Sequence, residues 1–271
     1  IEAPELHIDA ESVWTPGARR PVIAVTHRNL DTVHFRLHPG DWDEYAAAND
    51  EWDWVRKMRR SNPTLGAAPA AAWRQPLGRN ASFGQETAWV APGEAALGAP
   101  PGFYHLLASA REDFGAEGNV VLHAAVWISD LAAVVLGRAV WGADGLEGLV
   151  TEAESGDPVP GAEVRITWRT WDGKVTSTTT VASGEDGSFA SDRDRPNAGR
   201  ASLLVRHGGR AVGLTGVAPV QAAAAHRADP RGSVAFFTDR ALYRPGHTVH
   251  FKVIASLFDG ARDEYAGSRA G

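Results

Sequence analysis

The sequence predicts an all-β protein built from tandem antiparallel β-sandwich domains, with a short helical insertion in the first. Three observations carry that prediction. Apolar residues recur at every second position in one segment after another, as in Leu6, Ile8, Ala10, in Val33, Phe35, Leu37 and in Val164, Ile166, Trp168. This is the period of a strand with one buried face. The 29 glycines and 16 prolines suit many turns between short strands better than a helical bundle. Finally, the strand pattern breaks where Gly137, Gly142, Gly145 and Gly148 cluster between apolar runs. With 271 residues the chain exceeds what one core commonly serves, and the expected division is 1–137, 138–229 and an incomplete third domain at 230–271.

Composition excludes several classes of function. A formal net charge of −6 and a pI near 5.9 argue against a nucleic-acid binder, which would carry a basic face. The longest apolar run, Leu131 to Leu136, is strand-sized, and nothing approaches the 18 or so residues of a membrane span. Without cysteine there are no disulfides, thiol nucleophiles or thiolate metal sites in these residues. The opening Ile1-Glu2-Ala3-Pro4 lacks an initiator methionine, which suggests a processed form or part of something longer. Ten tryptophans are expected as core plugs and edge covers; the sharper alternative is a platform on which sugars stack.

In the first segment Leu6, Ile8 and Ala10 alternate with His7, Asp9 and Glu11, and Trp14-Thr15-Pro16-Gly17 then turns the chain. A strand over Pro21 to Thr26, the turn Arg28-Asn29-Leu30-Asp31 and a strand carrying Val33, Phe35, Leu37 opposite His34, Arg36, His38 are expected to form a hairpin. The period then changes. Trp42, Tyr45, Trp52, Val55 and Met58 fit a one-sided helix over Asp41 to Arg60, with Asp41 as its cap and Lys57, Arg59, Arg60 suited to its end. Ser61 to Pro76, rich in proline, alanine and glycine, is expected as a loop anchored by Trp73. Strands resume at Glu86 to Val90. The turns Pro92-Gly93 and Pro100-Pro101-Gly102 lead to a strand over Phe103 to Ser109 and then to Val120 to Ile128, whose two apolar faces predict a central place in its sheet.

In the middle segment a Gly/Pro turn at Gly156 to Gly161 precedes the alternating strand of Val164, Ile166 and Trp168. Thr176 to Val181 is a β-branched strand. Gly184 to Phe189 makes a turn, Ala201 to Val205 and Arg210 to Leu214 a hairpin around Gly208-Gly209, and Ala222 to Ala225 a linker. The last segment, Ser233 to Phe258, alternates again: Val234 and Phe236 before a turn at Tyr243-Arg244-Pro245-Gly246, then Val249, Phe251 and Val253.

Catalytic patterns are missing. There is no phosphate-binding glycine loop, no serine elbow and no paired-histidine zinc helix. Of the close histidine pairs, His34 with His38 share a strand face but lie ~13 Å apart, and His247 with His250 face opposite ways. The acidic group Asp41, Asp43, Glu44, Asp50, Glu51, Asp53 has the residue types of a glycosidase pair, but its helical context makes it a solvated face. The loops Glu185-Asp186 and Asp192-Arg193-Asp194 offer calcium-ligand types without the spacing of a calcium loop. The expectation is therefore no catalytic, cofactor or metal site, and no enzyme.

The run Thr238-Asp239-Arg240-Ala241-Leu242-Tyr243-Arg244-Pro245-Gly246-His247-Thr248-Val249-His250-Phe251-Lys252 resembles the signature that opens a sandwich domain in the alpha-2-macroglobulin family, above all in its bacterial members. Arg28 to His38 and Pro100 to Ala110 resemble strands of the same family, and Ser155 to Trp168 resembles the start of carboxypeptidase-regulatory and macroglobulin-type sandwiches, with a weaker likeness elsewhere. The resemblance implies macroglobulin/immunoglobulin-like sandwiches, with Thr238, Asp239, Arg240, Tyr243, Arg244, Pro245, Gly246, Val249 and Phe251 as a structural motif. It also implies a non-catalytic portion of a longer protease trap, with proteases as partners of the whole protein. Export is implied too, with a periplasmic, envelope-anchored or extracellular place. The family's thioester needs a cysteine that this chain lacks. Two other classes compete: a carbohydrate-binding sandwich, which needs two of Trp42, Trp52, Trp54, Trp73, Trp168 and Trp171 coplanar and exposed, and a tandem-sandwich adhesive or scaffold protein.

Overall fold

A computed structural model describes residues 4–17, 20–47, 68–78, 84–115, 117–136, 146–170, 172–191 and 200–217, together with the strands at 231–238, 251–259 and 264–267. It divides into two compact units, 1–138 with 144–219, and 139–143 with 220–271.

The larger unit begins with a sandwich. One sheet has β1 (Glu5–Ala10), β3 (Ile23–Arg28) and β6 (Glu86–Val90) in the order β1-β3-β6. The other contains β2 (Val13–Trp14), β4 (Thr32–Pro39), β5 (Ala71–Pro76), β7 (Gly102–Ser109) and β8 (Val121–Ile128) in the order β2-β8-β7-β4-β5. All pairs are antiparallel except β2 with β8. The alternation seen in the sequence sorts the side chains: Ile8, Ile23, Val25 and Val90 from the first sheet close on Val33, Phe35, Leu37, Leu106 and Val126 from the second. Each such burial contributes about 1.5–3 kcal/mol.

Two expectations fail here. The strands either side of Asn29, expected as a hairpin, do not pair: β3 bonds to β1 and β6, and β4 to β5 and β7. Both strands bury one apolar face, and the chain satisfies both by crossing between sheets, with Asn29 in the left-handed region at φ 54. The stretch expected as a loop up to Pro76 contains β5, paired with β4 from Thr32↔Pro76 to Leu37↔Ala71. Alanine is a poor strand former, but β4 needs hydrogen-bond partners on its second edge, and that need overrides local propensity. Trp73 does anchor the stretch, stacked on Phe35 with ring centroids 4.9 Å apart.

Among the described residues two short helices interrupt this sandwich, α1 (Trp42–Ala47) and α2 (Glu94–Leu97). Asp41 caps α1, its Oδ1 accepting the Glu44 N–H at 2.9 Å. The expected continuation of that helix to Arg60 lies outside the described residues.

The second sandwich sets β9 (Leu131–Leu136), β10 (Glu147–Glu152) and β13 (Ser188–Ala190), in the order β13-β10-β9, against a four-stranded sheet. That sheet has β11 (Glu163–Arg169), β12 (Val175–Ala182), β14 (Arg200–His207) and β15 (Arg210–Val217) in the order β12-β11-β14-β15. Val164, Ile166 and Trp168 face inward as expected, against Leu203, Val205, Val150 and Phe189. β9, placed before residue 137 with the first segment in the sequence reading, instead pairs with β10 from Leu131↔Glu152 to Leu136↔Glu147, and Leu131 lies in the second core. Gly148 permits that pairing: a Cβ there would lie 2.4 Å from the Val134 carbonyl oxygen and from the Phe189 ring. Gly208 and Gly209, at φ 56 and 81, make the two-residue turn from β14 to β15.

In the smaller unit β16 (Arg231–Thr238), β17 (Phe251–Asp259) and β18 (Glu264–Gly267) form an antiparallel sheet in that order.

Candidate functional site

The described polar and aromatic groups concentrate around α1, on the faces of β4, β7 and β8 that point away from the first core. Trp42 meets Phe103 edge-on at 5.2 Å and Trp127 at 5.3 Å, and Tyr45 meets Phe103 at 5.1 Å. On its other side Trp42 lies against β15, where a Cβ on Gly213 would come within 2.4 Å of the indole. Asp43 pairs with Arg165 of β11. Helix α1 is thus wedged between the two sandwiches, and one apolar cluster runs from Phe103 and Trp127 through Trp42 to Leu204 and the second core.

Beside this wedge three histidines meet. His38 and His105 are register partners across β4 and β7, and His123 on β8 shares their face. His105 Nδ1 and His123 Nε2 are 3.1 Å apart and share a hydrogen bond, and Tyr45 covers both rings at 5.8 Å. Burial, then the neighbouring His123 and His38, push the His105 pKa down to about 2. Burial and the Arg36 guanidinium lower that of His38 as well. Both are therefore neutral imidazoles at neutral pH. Among the described residues no group of three His, Cys, Asp or Glu side chains is disposed to hold a metal ion. The sequence reading compared histidines along one strand and missed this group, because it forms across three; the signal was that His38, His105 and His123 all alternate with core residues on strands that pair.

A second tie joins the two sheets of the second sandwich to the connection that enters it. Arg210 of β15 donates to both carboxylate oxygens of Glu152, at 2.7 and 3.0 Å, and lies 3.3 Å from Asp130 in the connection between β8 and β9. The Glu152 hydrogen bonds, against a smaller cost of burial, raise the Arg210 pKa.

Three of the acidic residues singled out earlier, Asp41, Asp43 and Asp186, have structural work. Asp41 caps a helix and Asp43 holds Arg165. Asp186 accepts from the N–H and the hydroxyl of Ser188, at 3.0 and 2.6 Å, which lowers its pKa. Asp50, Glu51, Asp53, Asp192 and Asp194 lie outside the described residues. Of the sugar-platform candidates, Trp42 and Trp168 are buried and Trp73 is packed on Phe35; Trp52, Trp54 and Trp171 lie outside the described residues. Trp89, on the edge strand β6, is 75% exposed. Thr238 and Phe251 of the family-like motif are register partners at the ends of β16 and β17; Asp239, Arg240, Tyr243, Arg244, Pro245, Gly246 and Val249 lie outside the described residues.

No protein-family model matches the sequence, and no curated protein matches it. Among solved structures, native alpha-2-macroglobulin from Escherichia coli spanning domains NIE-MG1 aligns with a TM-score of 0.53 at 18% identity, over 78% of this chain and 97% of that one. The fold is that of these bacterial alpha-2-macroglobulin domains. A longer structure of the same protein, spanning domains MG0-NIE-MG1, gives a TM-score of 0.52 at 18% identity over 78% of this chain and 64% of that one. The macroglobulin likeness extends across more than one sandwich, in line with the tandem all-β architecture expected from the sequence. At this identity it is a likeness of fold.

Proposed function

We propose that the chain is a non-catalytic portion of an alpha-2-macroglobulin-like protein that traps proteases outside the cytoplasm, at the cell envelope. The observation that carries this reading is the coverage of 97% of the NIE-MG1 structure by a chain that also bears the Thr238 to Lys252 run. A fold hosts many functions, so the reading needs both. The described residues support a scaffold role: their buried histidines, tryptophans and ion pairs bind α1 and the two sandwiches together. The test uses the full-length parent, incubated with a panel of proteases of different specificity. Protease co-eluting with the parent on size exclusion, with reduced cleavage of a protein substrate, is the expected result. Cleavage unchanged across the panel and no co-elution would remove the protease-trap reading. Fractionation of the source cells places the parent: recovery in the cytoplasm would contradict export.

A further inference from the structure

Arg169 is a buried charged side chain, and Asp43, an opposite charge that acts on it, is already paired with Arg165. It ends β11, where the register with β12 shifts between Trp168 and Arg169, an irregularity of the kind that re-aims a side chain. By alternation it points away from the core that holds Ile166 and Trp168. It is nevertheless only 7% exposed, and its Nε and Nη1 have no hydrogen-bond partner among the described residues. Its register partner across β14 is Arg200, and Arg165, on the same face of β11, is engaged by Asp43. Like charges directly opposite on a ladder repel, and a guanidinium has five donors and does not escape by losing its proton. Burial, then Arg200, bears against the charged form of Arg169, which Asp43 offsets in part. A buried cation whose Nε and Nη1 donors are left unmet is a costly arrangement, and an anion accepting from them would relieve it.

We propose that Arg169 anchors an oxyanion-binding site, with Arg200 as its second cation, that takes a carboxylate or phosphate group. The site lies on the outer face of the four-stranded sheet, near the N-terminal end of α1 through Asp43 and Arg165. A ligand oxygen accepting from Arg169 makes charge-assisted hydrogen bonds of the strong class, and its negative charge favours the charged form of Arg169 that burial and Arg200 oppose.

The test uses the whole 271-residue chain, labelled with nitrogen-15 and titrated with acetate or inorganic phosphate at constant ionic strength against chloride. The arginine Nε–H signal that vanishes in Arg169→Met should shift and saturate with one or both anions. The thermal midpoint of the native chain should rise with the same anion, since a ligand that binds only the folded state stabilises it by mass action. Saturation by acetate alone assigns a carboxylate site, by phosphate alone a phosphate site. In Arg169→Met the midpoint should no longer respond. Should that variant fail to fold, Arg200→Gln keeps the anchor and should raise the anion concentration needed for half-saturation about tenfold, the effect of losing one charged partner. A linear, unsaturated shift with both anions, or an Arg200→Gln titration identical to that of the native chain, would overturn the proposal.

Discussion

Among the described residues, the core of the first sandwich draws only on that sandwich, from Ile8 on β1 through Ala96 of α2 to Ile128 on β8, whereas the core of the second continues outward through Leu204 into Trp42, Phe103 and Trp127 of the first. The first sandwich has what an independent domain needs, a closed apolar interior between two sheets. The second has such an interior as well, around Val164, Ile166 and Leu203, but the outer face of its larger sheet is also apolar where it meets α1. A sheet with both faces covered is stabilised by its neighbour as well as by its own packing. The asymmetry teaches that α1, an insertion in the first sandwich, belongs energetically to the second.

The largest way to break this asymmetry is Trp42→Ala. Removing a large aromatic ring from a packed site costs about 3–5 kcal/mol, measured by denaturant unfolding of the whole chain. Phe35→Ala, in the first core, should cost a similar amount but act on β3 to β7. A smaller break comes from the opposite side. Gly213→Ala places a methyl 2.4 Å from the Trp42 indole, a rigid group that cannot swing aside locally, so an overpacking cost of about 1–3 kcal/mol is expected. In Trp42→Ala the same glycine change should cost much less, since the ring it strikes is gone, and the double-mutant cycle measures that coupling.

Acid sharpens the comparison, because the histidine group sits beneath α1. The folded-state pKa of His105 is about 2 against roughly 6.5 in the unfolded chain. Above pH 6.5 both states are neutral and stability is full. As pH falls below 6.5 the unfolded state takes up a proton that the folded state refuses, so stability declines by up to about 1.4 kcal/mol per pH unit from this residue alone. His105→Gln should flatten that slope over pH 6.5 to 4.5, and an unchanged slope would show that the pair does not govern acid unfolding. The smallest effect belongs to Asp43→Asn. The Asp43 side chain is 62% exposed, so losing its pair with Arg165 should cost at most about 1 kcal/mol, and less in high salt.

How much of this was legible beforehand follows from the range of each interaction. Strands whose alternation was clean, such as Val33-Phe35-Leu37 and Val164-Ile166-Trp168, were legible, since period 2 is a local property. The hairpin β14 to β15 was legible because Gly208-Gly209 sets its turn. Pairing partners were less so: nothing in residues 21–37 says that β3 and β4 enter different sheets, as either arrangement buries the same faces. Ala71–Pro76 looked like a loop because its strand character comes from the edge of β4 and hardly from its own residues. The glycine cluster near 137 drew the eye to a boundary, but β9 precedes it and pairs beyond it. The meeting of His38, His105 and His123, and that of Arg169 with Arg200, depend on cross-strand register, which a single sequence does not display.

The most direct test of the asymmetry is native-state hydrogen exchange on the intact chain, comparing wild type with Trp42→Ala. Exchange resolves the opening of separate regions by their own free energies. If α1 stabilises the second sandwich, amides of β11, β14 and β15 should lose protection by several kcal/mol, while those of β3, with Ile23 and Val25 in the first core, should stay within about 1 kcal/mol of wild type. Equal loss across both sandwiches, or loss confined to β4, β7 and β8, would contradict the assignment of α1 to the second core.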